Sequence, residues 1–85
     1  MNIDVIKNLL RDISQFEILE IIDNSKLHSG HAGIKNTIYD LTHIKIRLIN
    51  QNNLKKIDIH RTIYQKLDSE IKKGLHSVEI IILDN

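Results

Sequence analysis

The sequence has no cysteine, no proline and no tryptophan, and it holds only three glycines, two tyrosines and one phenylalanine. Without cysteine there is no disulfide, no thiolate nucleophile and no thiolate ligand for a metal. The apolar runs stop at about four residues, as in Ile80–Leu83, where a membrane-spanning helix needs ~20. The opening Met1-Asn2-Ile3-Asp4 lacks the apolar stretch of a secretory signal, so the expectation is a cytoplasmic protein that does not enter a membrane. Charge of one sign is also lacking. Twelve Lys and Arg against eleven Asp and Glu leave a formal charge of +1, which argues against a dedicated polyanion binder while leaving room for a local patch. Enzyme signatures are missing too: no phosphate-binding G-x-x-x-x-G-K-[ST] loop, no H-E-x-x-H helix and no G-x-S-x-G elbow. The acids Glu17, Glu20 and Asp23 lie on an early strand with no basic partner pattern. Catalysis by this chain alone is not expected.

At 85 residues the chain has room for one domain, residues 1–85, with a thin core. A chain this short buries roughly 60–65% of its unfolded surface, so deep pockets are not expected. Hydrophobic residues at 41% and charged residues at 27% are globular proportions, too apolar for disorder.

Hydrophobic spacing orders the elements. Ile6, Leu9, Leu10 and Ile13 recur at helical spacing behind Asp4, predicting a helix over about 3–13. Glu17 to Asp23 reads as a strand, alternating around Leu19 and Ile21, with Phe16, Ile18 and Ile22 giving its other face some apolar character. A long polar loop follows over 24–40 and contains Gly30 and Gly33; loops of this length in small domains usually have a function. Over 42–49, Ile44, Ile46 and Leu48 alternate with Lys45 and Arg47, predicting a strand with one buried face. Gln51-Asn52-Asn53 is a turn. One long helix is then predicted from about Leu54 through Ile57, His60, Ile63, Tyr64, Leu67 and Ile71 to a cap at Gly74, and a last strand runs from His76 to Leu83.

The order α-β-β-α-β predicts an α+β fold with helices packed on one face of a three-stranded mixed sheet. The second strand, the long helix and the third strand form a right-handed crossover, so those two strands run parallel and start at the same end. That end also carries the long loop. His28, His31, His43 and His76 are thereby expected at one edge of the domain.

Histidine is the informative residue type, since five are present and imidazole is the natural remaining ligand for iron or zinc. His28-Ser29-Gly30-His31 is an H-x-x-H in a loop, equally readable as solvated histidines or as ligands. His76 follows Gly74-Leu75 at a helix-to-strand junction, either as a strand-opening residue or as a ligand on a rigid element. His43 alternates with Ile44 and so points away from the core, as a surface or supporting group. His60 and Arg61 lie on the long helix, in a packing or surface role. Gly30-His31-Ala32-Gly33 matches G-x-x-G, but here the loop joins two strands where the nucleic-acid loop joins two helices. The long helix mixes Lys55, Lys56, Arg61, Lys66, Lys72 and Lys73 with Asp58, Asp68 and Glu70, as a solvated face does, and no aromatic residue on the strands could stack on bases.

Taken in order, these landmarks resemble the BolA family over nearly the whole chain. Asp23-Asn24-Ser25-Lys26-Leu27-His28-Ser29-Gly30-His31-Ala32-Gly33 resembles its D-x-S-x-x-H-x-G-H-x-G loop, and Thr42-His43-Ile44 its T-H-F strand start. His60-Arg61-Thr62-Ile63-Tyr64 resembles H-R-x-[VI]-Y, and Gly74-Leu75-His76-Ser77-Val78 resembles G-[IL]-H-[AS]-[LV]. The resemblance implies a KH-like fold of type II topology. It further implies a non-enzymatic partner of a monothiol (Cys-Gly-Phe-Ser) glutaredoxin. The two proteins would co-bind a [2Fe-2S] cluster, with the partner's thiolate and glutathione as ligands, and act in iron–sulfur trafficking or iron homeostasis. By the same resemblance His76 is one ligand and His31 the second, with His28 as alternate and His43 in support. The implied assembly is a monomer when free and a heterodimer in function, with no cluster in the isolated chain. His60 and Arg61 would belong to a partner or nucleic-acid surface, the alternative function being a transcriptional regulator that binds DNA weakly through the KH-like fold. The family's Phe-x-Gly after the second strand and its basic residue before the helical histidine read here as Gln51, Asn53 and Ile59, which departs from a basic recognition helix.

Overall fold

The segment with the clearest alternation is the centre of the molecule. In the computed structural model, which describes residues 3–25 and 42–84, Ile44, Ile46 and Leu48 are all but fully buried, and Lys45 and Arg47 between them and Ile49 beyond are half-buried. The elements are α1 (Ile3–Leu10), β1 (Glu17–Asp23), β2 (His43–Asn50), α2 (Lys56–Lys66), α3 (Asp68–Lys73) and β3 (Ser77–Asp84). The three strands lie in the order β1-β2-β3, with β1 antiparallel and β3 parallel to β2, so the sheet is mixed as its crossover predicts. Ile6 and Leu10 of α1, Phe16, Ile59 and Ile63 of α2, Leu67 and Leu75 close over the Ile44–Ile46–Leu48 face to form the core. Full burial of each such side chain contributes roughly 1.5–3 kcal/mol, so these few residues dominate the stability of a domain this small.

The alternation read along β1 does not hold, because the pairing with β2 shifts between Ile18 and Glu20 and leaves Leu19 as an extra residue in a bulge. Ile18 and Ile21 both pack toward the core, whereas Leu19 is 42% exposed. Glu20 also has a basic partner that sequence spacing did not show, since the Arg47 guanidinium lies 2.9 Å from its carboxylate across the strand pair.

The long helix is two helices. Leu67 has φ −97° and ψ 5°, outside helical geometry, and it ends α2 and begins α3. Asp68-Ser69-Glu70 is a composition that suits a helix's first turn and competes with the backbone inside one, so it restarts the helix in place of continuing it. The buried stripe is accordingly Ile59, Ile63, Leu67 and then Glu70, while Ile57, expected in the core register, is 55% exposed.

The split also sorts the charges. Lys72 pairs with Asp68 at 2.9 Å and Lys73 with Glu70 at 3.3 Å, both within α3. Asp68 and Glu70, two of the three acids that made the long helix look mixed, therefore belong to α3. That leaves α2 and its cap residue with Lys55, Lys56, Arg61 and Lys66 against Asp58 alone.

Candidate functional site

His76 is placed by the end of α3. Gly74 has φ 137°, a conformation that costs a residue with a Cβ, and the helix closes there with the Gly74 N–H bonded to Ile71 O at 3.2 Å and the Leu75 N–H to Glu70 O at 2.9 Å. This closure turns the chain sharply. Leu75 drops into the core and His76, next along, comes out exposed at the mouth of β3. Its backbone is held on arrival: the His76 N–H donates to Thr42 O at 2.7 Å and the Ser77 N–H to the same carbonyl at 3.0 Å.

Thr42 is held from its other side by Ser25. The Ser25 hydroxyl oxygen accepts the Thr42 N–H at 2.9 Å and the His43 N–H at 3.2 Å, and the hydroxyl lies 3.4 Å from the His43 carbonyl as donor. Ser25 is oriented in turn by its own N–H, which donates to the Asp23 carboxylate at 2.9 Å. The Asn24 N–H donates to His43 O at 2.9 Å, one backbone bond beyond the Asp23–Ile44 pair, and the Ser25 side chain continues the β1–β2 pairing from there. Both Ser25 and Thr42 are buried, where an unpaired N–H costs about 1–3 kcal/mol. The path from Asp23 through Ser25 and Thr42 to His76 consists of short hydrogen bonds on fixed backbone, and it gives the exposed imidazole a rigid base.

His43 stands beside it. The two imidazole rings are 5.5 Å apart between centroids and inclined by 52°, and His43 Nδ1 lies 3.0 Å from Thr42 Oγ1. Alternation puts His43 on the sheet face opposite the core, which is correct, but the surface position expected of it is not: it is 8% exposed. Thr42 and the His76 ring are two of the groups that lie against it. The gathering of histidines is therefore observed for His43 and His76, while His28 and His31 lie outside the described residues. His60 sits elsewhere, exposed on α2 with its ring stacked 6.4 Å from that of Tyr64. An open groove of about 700 Å³ between α1 and β1, lined among others by Lys7, Arg11 and Phe16, contains no histidine.

Among the described residues no group of three or more His, Cys, Asp or Glu is placed to hold a metal ion. An exposed imidazole on a fixed strand start suits one donor of a site completed from outside. The same residues match the BolA-like protein family model over 10–83. The chain belongs to the BolA family.

Two curated relatives from Arabidopsis thaliana carry the match. Protein BOLA1, chloroplastic, is 30% identical over 77 residues, covering 88% of this chain and 48% of that protein. SufE-like protein 1, chloroplastic/mitochondrial, is 36% identical over 67 residues, covering 74% of this chain and 18% of that one. This BolA-family chain thus spans about half the length of the first and under a fifth of the second. Among solved structures, BolA1 from the same plant superposes with a TM-score of 0.75 at 26% identity, covering 99% of this chain and 92% of its own. The BolA domain of SufE1 gives 0.69 at 26% identity, covering 96% and 88%. No helix among the described residues is long and apolar enough to cross a membrane.

Proposed function

We propose that this BolA-family domain is a non-enzymatic partner protein that supplies His76 as one ligand to a [2Fe-2S] cluster shared with a monothiol glutaredoxin and its glutathione. The observation that carries this reading is the placement of His76, which is exposed at the edge of the sheet while its backbone is fixed by Thr42. Imidazole fits the chemistry, since neutral histidine ligates iron in clusters whose other ligands are thiolates. A chain without cysteine has to take those thiolates from a partner, so cluster binding and complex formation are coupled. Family membership, and the occurrence of a BolA domain within a SufE-like protein, support a role in iron–sulfur metabolism. His31 is proposed as the second ligand, with His28 as alternate, and His43 as the group that packs against the ligand ring.

The test is anaerobic cluster reconstitution of the protein with a Cys-Gly-Phe-Ser glutaredoxin and glutathione, followed by visible circular dichroism. Wild type is expected to give a spectrum distinct from that of the glutaredoxin alone. His76→Ala is expected to abolish it and His31→Ala to weaken it, with far-ultraviolet spectra unchanged. If wild type leaves the glutaredoxin spectrum as it was, the cluster reading fails. Nucleic-acid binding by the α2 cations then becomes the reading to test, through the salt dependence of affinity.

A further inference from the structure

A single peptide plane joins Ser25 to His76. The Thr42 carbonyl and the His43 N–H belong to the same peptide group, which is planar and trans, so they point in opposite directions and turn together. On one side the His43 N–H donates to Ser25 Oγ at 3.2 Å. On the other the carbonyl accepts the His76 N–H at 2.7 Å and the Ser77 N–H at 3.0 Å. The Ser77 bond also opens the β2–β3 ladder, in whose parallel pattern alternate residues, Ser77, Glu79, Ile81 and Leu83, bond to β2. The tilt of this one plane therefore sets where β3 begins and where the His76 backbone sits.

The Ser25 hydroxyl is the group that sets the tilt. Successive N–H groups of a regular strand point to opposite sides, yet those of Thr42 and His43 converge on one oxygen. Backbone N–H groups that converge in this way form a concavity for an acceptor. A hydroxyl carries two acceptor lone pairs and one donor. Here both lone pairs receive an N–H and the proton is directed at the His43 carbonyl, 3.4 Å away, so the group is used in full. Its own place is fixed from the surface, by the Ser25 N–H on the exposed Asp23 carboxylate at 2.9 Å. Ser25, Thr42 and His43 are all buried, which leaves bulk water little access to replace the hydroxyl.

We infer that Ser25 is a positioning residue for His76: its hydroxyl, acting through the 42–43 peptide, holds His76 in the position from which it ligates the shared cluster. With the His76 backbone fixed, only the side-chain torsions are left to settle when a partner arrives. The same hydroxyl holds the His43 backbone, and so sets the stance of the ring that lies 5.5 Å from that of His76. The ligand role of His76 comes from the proposed function, on which this inference rests, while the positioning is a property of the metal-free chain.

The test compares Ser25→Ala with Ile63→Val, a core substitution on α2 that lowers stability and leaves the Ser25 hydroxyl in place. In metal-free protein the His76 and Ser77 amides of Ser25→Ala are expected to exchange about tenfold or more faster than those of Ile63→Val, each scaled to the central-strand amides of Ile46 and Leu48. The ring-proton resonances of His43 and His76 are expected to shift in Ser25→Ala alone. Ser25→Thr, which keeps the hydroxyl, is expected to restore both. Asp23→Ala, at an exposed position, moves them in the same direction by less, and it carries the comparison if Ser25→Ala does not fold. In reconstitution with a Cys-Gly-Phe-Ser glutaredoxin and glutathione, Ser25→Ala should weaken the mixed-complex dichroism where Ile63→Val keeps the wild-type spectrum. Exchange and ring shifts that match those of Ile63→Val overturn the inference and leave Ser25 a purely structural residue. Faster exchange with an unchanged cluster spectrum overturns it too, because His76 is then loosened without consequence for ligation. A wild type that gives no mixed spectrum defeats the proposed function instead, and the exchange rates then decide by themselves whether Ser25 holds His76.

Discussion

Along β1 the chain carries Glu17, Glu20 and Asp23 and inserts Leu19 as an extra residue; along β3 it carries Val78, Ile80, Ile81 and Ile82 in unbroken register, with acids only at Glu79 and Asp84. Among the described residues both are edge strands of the same sheet. Sheet proteins keep edges from pairing with other chains by bulges, charges, proline or short length, and β1 uses the first two. β3 is eight residues long with no bulge, no proline and no lysine. The bulged edge lies beside the α1–β1 groove, and the regular one leads directly from His76. A small domain that blunts one edge and leaves regular the edge continuous with its candidate ligand has arranged its surface around that side.

The phase of the β3 ladder gives the largest expected effect. Ile81 directs its N–H to β2, so Ile81→Pro removes a ladder donor, strands a carbonyl of the central strand and should lower stability by about 2–4 kcal/mol in urea titration. For a domain whose whole stability is on the order of 5–10 kcal/mol, that is a large fraction. A loss below about 1 kcal/mol would mean that β3 is not held as the register states.

The same contrast separates what was legible in the sequence from what was not. β2 could be read directly, because Ile44, Ile46 and Leu48 face a core on one side only and a strand's period is two. β1 could not, because Leu19 breaks that period without glycine or proline to announce it, and a bulge is chosen by pairing with β2. The helix break at Leu67 was hidden for a related reason: apolar spacing runs through it, and only Asp68-Ser69-Glu70 hinted at a second start. For the site, Gly74 announced a cap and so placed His76 at a strand mouth. The burial of His43 was not readable, because alternation assigns a face and says nothing of what lies at the sheet's end. Ser25 reads in the sequence only as a loop landmark, because its hydrogen bonds to Thr42 and His43 join residues far apart in the chain.

Deleting Leu19 would sharpen the comparison. Ile18 pairs with Leu48 and Glu20 with Arg47, so removing the residue between them leaves both on the faces they already occupy. The deletion is expected to cost no more than about 1 kcal/mol and to make β1 a regular edge, giving concentration-dependent association in sedimentation velocity. Full unfolding on deletion would show instead that the bulge is required for β1 to pair at all.

The smallest expected effect concerns the charges that guard β1. Glu20 and Arg47 are in contact at 2.9 Å, but their side chains are 46% and 42% exposed, so water screens the pair and holding two long side chains in place opposes it. A double-mutant cycle with Glu20→Ala and Arg47→Ala should give a coupling of about 0.2–1 kcal/mol, lower still in 1 M salt. The acids of β1 then act mainly against wrong pairing, by repelling or failing to match an incoming strand, and contribute little to holding the native sheet together. A coupling above about 2 kcal/mol would reverse that assignment. The pair would be a structural clamp on β1, and the difference between the two edges would lie in how firmly each strand is held as well as in which of them is regular.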